Sequence, residues 1–281
     1  MIDQAGSTIA AGQRVALALE YHGAGYQGWQ AQYRPGTPTV QETLEQALGR
    51  IAAAPVRVQC AGRTDRGVHA SHQLVHFDSP VARPVRAWVQ GANSLLPDTV
   101  VVKWARPVDA TFHARFSARA RRYRYVIFNR PVRSPHLAAL SAHFPWPLDE
   151  VRMEREAQAL LGERDFSAYR GAGCQSRTAM RNVHFIQVYR RGPWVIIDIQ
   201  ANAFLLHMVR NIAGVLLAVG SGQAPAGWPA QVLASRDRTQ GGVTARPEGL
   251  YLVGVDYPPA WQFPDEQPGP PWLAALGTGS S

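Results

Sequence analysis

"AGRTDRGVHA", Ala61 to Ala70, sets a single aspartate, Asp65, between Arg63 and Arg66 in a turn that ends on Gly67 and His69. "VRVQC" (56–60) reads as a strand running into this loop, and "HQLVHF" (72–77) as the strand that returns from it. Upstream, "RVALALEY" (14–21) is strand-like and is followed by the Gly-rich "HGAGYQGWQAQYRPGTP". Thr39 and Glu42 then form a capping box, and Val40, Leu44, Leu48 and Ile51 mark one face of a helix. Downstream, a helical stretch near 84–94 leads to the strand "TVVVKWA". The first half is therefore strand–helix–strand–strand–helix–strand, which makes the chain α/β or α+β.

The second half repeats the theme more loosely. "RRYRYVIF" (121–128) is a strand, and Asp149 is placed to cap a helix over 150–161. "NVHFIQVYRR" and "WVIIDIQ" read as a hairpin around Gly192 and Pro193. "FLLHMVRNIAGVLLAVG" (204–220) is the longest apolar helix, and "GLYLVGVDY" (249–257) is a final strand. No sequence repeat is evident. Two α/β halves, 13–110 and 111–258, are expected, with residues 1–12 and the Pro- and Gly-rich 259–281 as flexible tails.

Composition narrows the function. The 281 residues are long enough for a sizeable core, and 46% hydrophobic with 17% charged residues describes a globular chain. There are 29 basic and 20 acidic side chains, a formal charge of +9, and Lys103 is the only lysine. Arginine suits bidentate phosphate contacts, so nucleic acid is a natural partner class. Cys60 and Cys174 form no CxxC pair, which fits a reducing cytoplasm better than a disulfide framework. Neither a signal peptide nor a membrane span is expected. P-loop, HExxH and GxSxG patterns are missing from the sequence, and "GAGYQG" does not open directly into a helix.

Four features carry chemistry. Positive charge near Asp65 favours the ionised carboxylate, which suits a nucleophile or base; taken alone, such a turn is more often a surface ion pair. From Ala110 to Leu148 there is no acidic residue, while seven arginines fall between Arg115 and Arg133. In a strand, Tyr123 and Tyr125 share one side and Arg122 and Arg124 the other. That interleaving suits RNA, with bases on rings and phosphates on guanidiniums; the alternative is tyrosines in the core and arginines in solvent. His69, His72 and His76 invite a metal, but His69 reads as a loop residue and strand histidines explain the group more simply. Arg210, inside a greasy helix, is costly to bury unpaired; it either snorkels or meets a carboxylate, for which Asp65 is the candidate.

Together these stretches resemble the bacterial tRNA pseudouridine synthase A family. "GYQGWQAQ", "AGRTDRGVHA", "FHARFSARARRYRY", "GCQSRTAMRNV", "NAFLLHMVRNIAG" and "PEGLYLVGVDYP" follow the family's signatures in order, over about residues 13–258. The resemblance implies isomerisation of uridine to pseudouridine at positions 38, 39 and 40 of the tRNA anticodon stem-loop. It also implies a homodimer, two similar halves with antiparallel sheets around a basic cleft, and no metal or cofactor. Residue by residue, it puts Asp65 at the catalytic aspartate and Tyr123 against the target base. It makes Arg210 the aspartate's partner, gives Arg63 the flipped nucleotide, and places Leu250 in the apolar wall. The chain departs from the family pattern at three places: Arg66 stands where a small residue is usual, His22 where an aspartate is usual, and "DFSAYRGAG" is looser than the usual run.

Overall fold

The computed structural model describes residues 7–31, Gly36 and residues 38–274. The expected tails therefore lie partly outside the described residues, at 1–6 and 275–281. The chain forms two compact units. One holds the residues up to Arg119 together with Leu252–Pro270; the other holds Ala120–Tyr251 and the residues from Pro271.

In the first unit, Arg14–Tyr21 pairs antiparallel with His69–Asp78 on one side and Val100–Val108 on the other. Val15 to Leu19 are all fully buried, so this strand is covered on both faces and shows no polar alternation. Helix Val40–Ala52 starts as its cap predicts: the Glu42 amide donates to Thr39 Oγ1, and the Glu42 carboxylate accepts from the Thr39 amide. Its buried face includes Val40, Leu44 and Leu48. The strand expected at 56–60 is reduced to Gln59–Cys60, while His69–Asp78 begins three residues earlier than expected and takes in His69. Parts of both supposed tails are packed. Thr8–Ile9 pairs with Arg83–Pro84 and buries Ile9, while Phe263 lies against Phe112 and stacks on Trp104. Apolar side chains at these positions explain the ordering; a reading based on Pro and Gly content alone underweights them.

In the second unit, Ala120–Asn129, Trp194–Ala201, Met180–Arg191 and Gly162–Asp165 form an antiparallel sheet in that order. The hairpin turns at Gly192, whose φ of 53° is in the left-handed region. Ala142–Phe144 adds in parallel to Ala120–Asn129. The long apolar helix runs Met208–Gly220 and not from 204, because His207 adopts a left-handed φ of 59° and breaks the turn before it. Helix Glu150–Ala157, capped by Asp149, packs so closely on its far end that a Cβ at Gly220 would meet the Met153 side chain at 2.5 Å.

Candidate catalytic and nucleic-acid-binding site

The Asp65 loop is held by its backbone and by neutral groups. The Ala61 amide donates to the Leu74 carbonyl, and the Gln73 side chain bridges the loop's base, donating to the Gly62 carbonyl at 2.5 Å and accepting from the Gly62 amide at 3.2 Å. Thr64 Oγ1 shares a 2.8 Å hydrogen bond with the Tyr21 hydroxyl, and its carbonyl accepts from the Trp29 amide. The Val68 amide closes the turn onto the Asp65 carbonyl, with Gly67 at φ 79°.

The Gly-rich loop supplies the remaining wall. A Cβ on Gly23 would fall 2.0 Å from the Val68 carbonyl oxygen, and one on Gly28, at φ 95°, 2.7 Å from that of Thr64. These glycines let one backbone lie directly on another, so "GAGYQG" is a clamp on the Asp65 loop. Sequence reasoning missed Gly23, Gly28, Thr64 and Gln73. The signal was there in the spacing of the glycines, but only the fold shows what they approach. Asp65 itself is half-buried at the tip, and Arg63 and Arg66 are exposed. A carboxylate on a rigid loop with an open side is oriented before any substrate arrives, which is the geometry a nucleophile or base needs.

The histidines have other duties. His69 Nδ1 accepts from the Gly23 amide, and its ring lies 4.7 Å from that of His22. His72 Nδ1 is 3.0 Å from the Glu266 carboxylate, which also takes the Trp104 indole N–H and the Lys103 ammonium. Although half-buried, that carboxylate has its pKa held down to about 2 by hydrogen bonds and charge from His72 and Lys103. His76 Nδ1 accepts from the Ala114 amide; burial, with His113 and Arg14 nearby, lowers its pKa to about 4. Among the described residues, no group of three or more His, Cys, Asp or Glu is arranged to hold a metal ion.

In the second unit the arginine–tyrosine strand differs from both readings of its sequence. The tyrosines are buried. Tyr125 donates its hydroxyl to the Arg246 carbonyl, and burial pushes its pKa well above the usual phenol range. Tyr123 keeps 7% of its surface and meets Phe204 edge-on at 5.1 Å. Arg122 and Arg124, however, converge on Asp198, which sits opposite Arg124 on the neighbouring strand. Arg122 donates through Nε and Nη2 at 2.7 Å each, and Arg124 through Nε at 2.7 Å. Asp198 is 1% exposed. Arg121 is also buried and donates to the Asn202 carbonyl. The acid-free window is real in sequence, but the sheet brings in its acid from 74 residues away. Exposed arginines remain at Arg115, Arg119, Arg130 and Arg133.

Arg210 opens the apolar helix and is tied to the 241–245 segment. Its Nε donates to the Ala245 carbonyl at 2.8 Å, and the Ala245 amide donates to the Arg210 carbonyl. Gly214 lets that segment lie on the helix, since a Cβ there would meet the Val243 carbonyl at 1.9 Å. Asn211, Thr244 and Arg238 complete the clamp: Arg238 donates to Asn211 Oδ1, Thr244 Oγ1 and the Gly242 carbonyl. Leu250 is buried just after Gly249, where a Cβ would meet the Val126 carbonyl at 2.9 Å and the Tyr125 ring at 3.0 Å.

Residues 17–117 and 157–258 match the family model described as tRNA pseudouridine synthase. The chain is 51% identical over 273 residues to tRNA pseudouridine synthase A of Pseudomonas aeruginosa, covering 97% of this chain and 95% of the relative. It is 52% identical over 262 residues to the Tolumonas auensis protein of the same name, covering 93% and 100%. Against the Coxiella burnetii protein of that name it is 53% identical over 261 residues, covering 92% and 99%.

Proposed function

Since this chain belongs to the tRNA pseudouridine synthase family, an isomerase family, we propose that it converts uridine to pseudouridine at positions 38, 39 and 40 of the tRNA anticodon stem-loop, with Asp65 as its catalytic carboxylate. The observation that carries this reading is the Asp65 loop itself, a half-buried carboxylate on a backbone fixed from three directions by Gln73, Tyr21 and the Gly23–Gly28 clamp.

The target nucleotide is extruded from its stack, at a cost of a few kcal/mol. Exposed Arg115, Arg119, Arg130 and Arg133 offset that cost through phosphate contacts. Arg63, exposed beside Asp65, handles the flipped nucleotide. Asp65 drives cleavage of the N-glycosidic bond, the base turns, and C5 bonds to the sugar as the C5 hydrogen leaves. Tyr123 packs against the base, Leu250 contributes apolar wall, and Arg210 is the counter-cation of Asp65. The reaction conserves the atoms of the nucleotide apart from proton exchange, so it consumes no redox equivalent and calls for no cofactor. The enzyme acts as a homodimer in the cytoplasm; no helix among the described residues is long and apolar enough to cross a membrane.

The site assignment is tested with tRNA transcripts tritiated at C5 of a single uridine, at 38, 39 or 40 in turn. Tritium is expected from each, and sedimentation should give twice the monomer mass. No release from any of the three, by enzyme that is folded and binds the tRNA, contradicts the assignment.

A further inference from the structure

The turn at 113–117 is pinned more heavily than its exposure requires. His113 Nδ1 accepts from the amides of both Arg115 and Phe116, at 3.1 and 3.3 Å. The His113 amide donates to Ser117 Oγ, and the Ser117 amide returns to the His113 carbonyl. Ala114 is fixed at both ends, its amide on His76 and its carbonyl on the Tyr257 hydroxyl. Arg14 holds the approach by donating to the carbonyls of Ala110 and Phe112, and the Phe112 ring is buried among Tyr257, Trp261 and Phe263.

On top of this anchored turn stands Phe116, 75% exposed. The His113 ring backs it at 4.3 Å, and the Arg115 guanidinium lies 5.6 Å from its centroid. A large apolar ring held in water by so many hydrogen bonds costs hydration free energy without contributing to the core. Its neighbourhood is cationic: Arg115 and Arg119 are exposed, and no acidic residue follows until Asp149.

We propose that Phe116 is a stacking platform for an unpaired base of the RNA, with Arg115 beside it engaging the adjoining phosphate. Aromatic face plus guanidinium is the combination that binds single-stranded nucleic acid, and a fixed ring loses little entropy when a base settles on it. The platform lies outside the residues assigned above to the target uridine, so it serves a flanking nucleotide. It rests on the reading of the chain as a tRNA-modifying enzyme.

The test compares Kd for unmodified tRNA between wild type and the variants Phe116→Leu, Phe116→Tyr and Arg115→Ala, over a range of salt. Phe116→Leu should bind about tenfold more weakly with the same salt slope, and Phe116→Tyr should bind as wild type. Arg115→Ala should reduce the salt slope by about 1. Melting temperatures of all three should match wild type, since the ring is exposed. Wild-type Kd in Phe116→Leu overturns the proposal, and so does equal weakening in Leu and Tyr variants. A Phe116→Leu protein with unchanged Kd but altered sedimentation reassigns the ring to a protein–protein contact. Wild-type enzyme that binds tRNA but releases no tritium instead defeats the catalytic reading, which the Kd series leaves distinct.

Discussion

Two aspartates in this molecule are each flanked by two arginines, and they do opposite things. Asp65 has Arg63 and Arg66 beside it in sequence, yet both of those side chains are exposed and the carboxylate is half-open on a loop fixed by other groups. Asp198 has no basic neighbour within three residues in sequence, but in space Arg122 and Arg124 take up both its oxygens and close it off from water. The first carboxylate sits half-buried on a loop fixed by its backbone, whereas the second is sealed between two guanidiniums. How far an aspartate stays open to solvent is decided across the sheet as well as along the chain.

The sealed aspartate should respond most in stability. Asp198→Ala leaves two guanidiniums, one of them buried, without a counter-charge and should cost about 3–5 kcal/mol by urea denaturation. Loss of under 1 kcal/mol would mean that the triad is not load-sharing and would erase the contrast. Next comes His76, which enters the fold neutral beside Arg14 and His113. The folded pKa lies near 4, below the ordinary 6.5. The unfolded chain therefore binds the extra proton between those values, and stability falls as pH drops from 6.5 to 4. The slope from this residue is about 1.4 kcal/mol per pH unit, with no contribution above 6.5. Replacing His76 with Asn should flatten that limb in denaturation curves taken across the range. The smallest stability effect is at the clamp: Gly23→Ala must push the Val68 backbone aside, costing about 1–3 kcal/mol. Gly25→Ala, with open space around its Cβ, is the control and should change melting temperature and turnover little.

These contrasts show what the sequence could and could not reveal. The capping box at Thr39, the hairpin at Gly192 and the presence of a strand at Ala120–Asn129 are legible because each is decided within a few residues. Asp65 stood out for the same reason. The fate of Arg122 and Arg124 was not legible, since it depends on which strand pairs with theirs and in what register. The start of the Met208–Gly220 helix was misplaced because the left-handed turn at His207 leaves no mark in an apolar run. Glu266 falls in the expected tail, yet its carboxylate meets His72, Lys103 and Trp104 once the chain folds back.

The most direct measurement follows tritium release from tRNA labelled at uridine C5, with wild type and Asp65→Asn compared at equal tRNA occupancy. The substitution removes the charge and keeps the volume, so tRNA affinity and melting temperature should hold while turnover falls by about 10²–10⁴-fold or more. Near-normal release from a folded Asp65→Asn enzyme would contradict the assignment of this carboxylate to the chemistry.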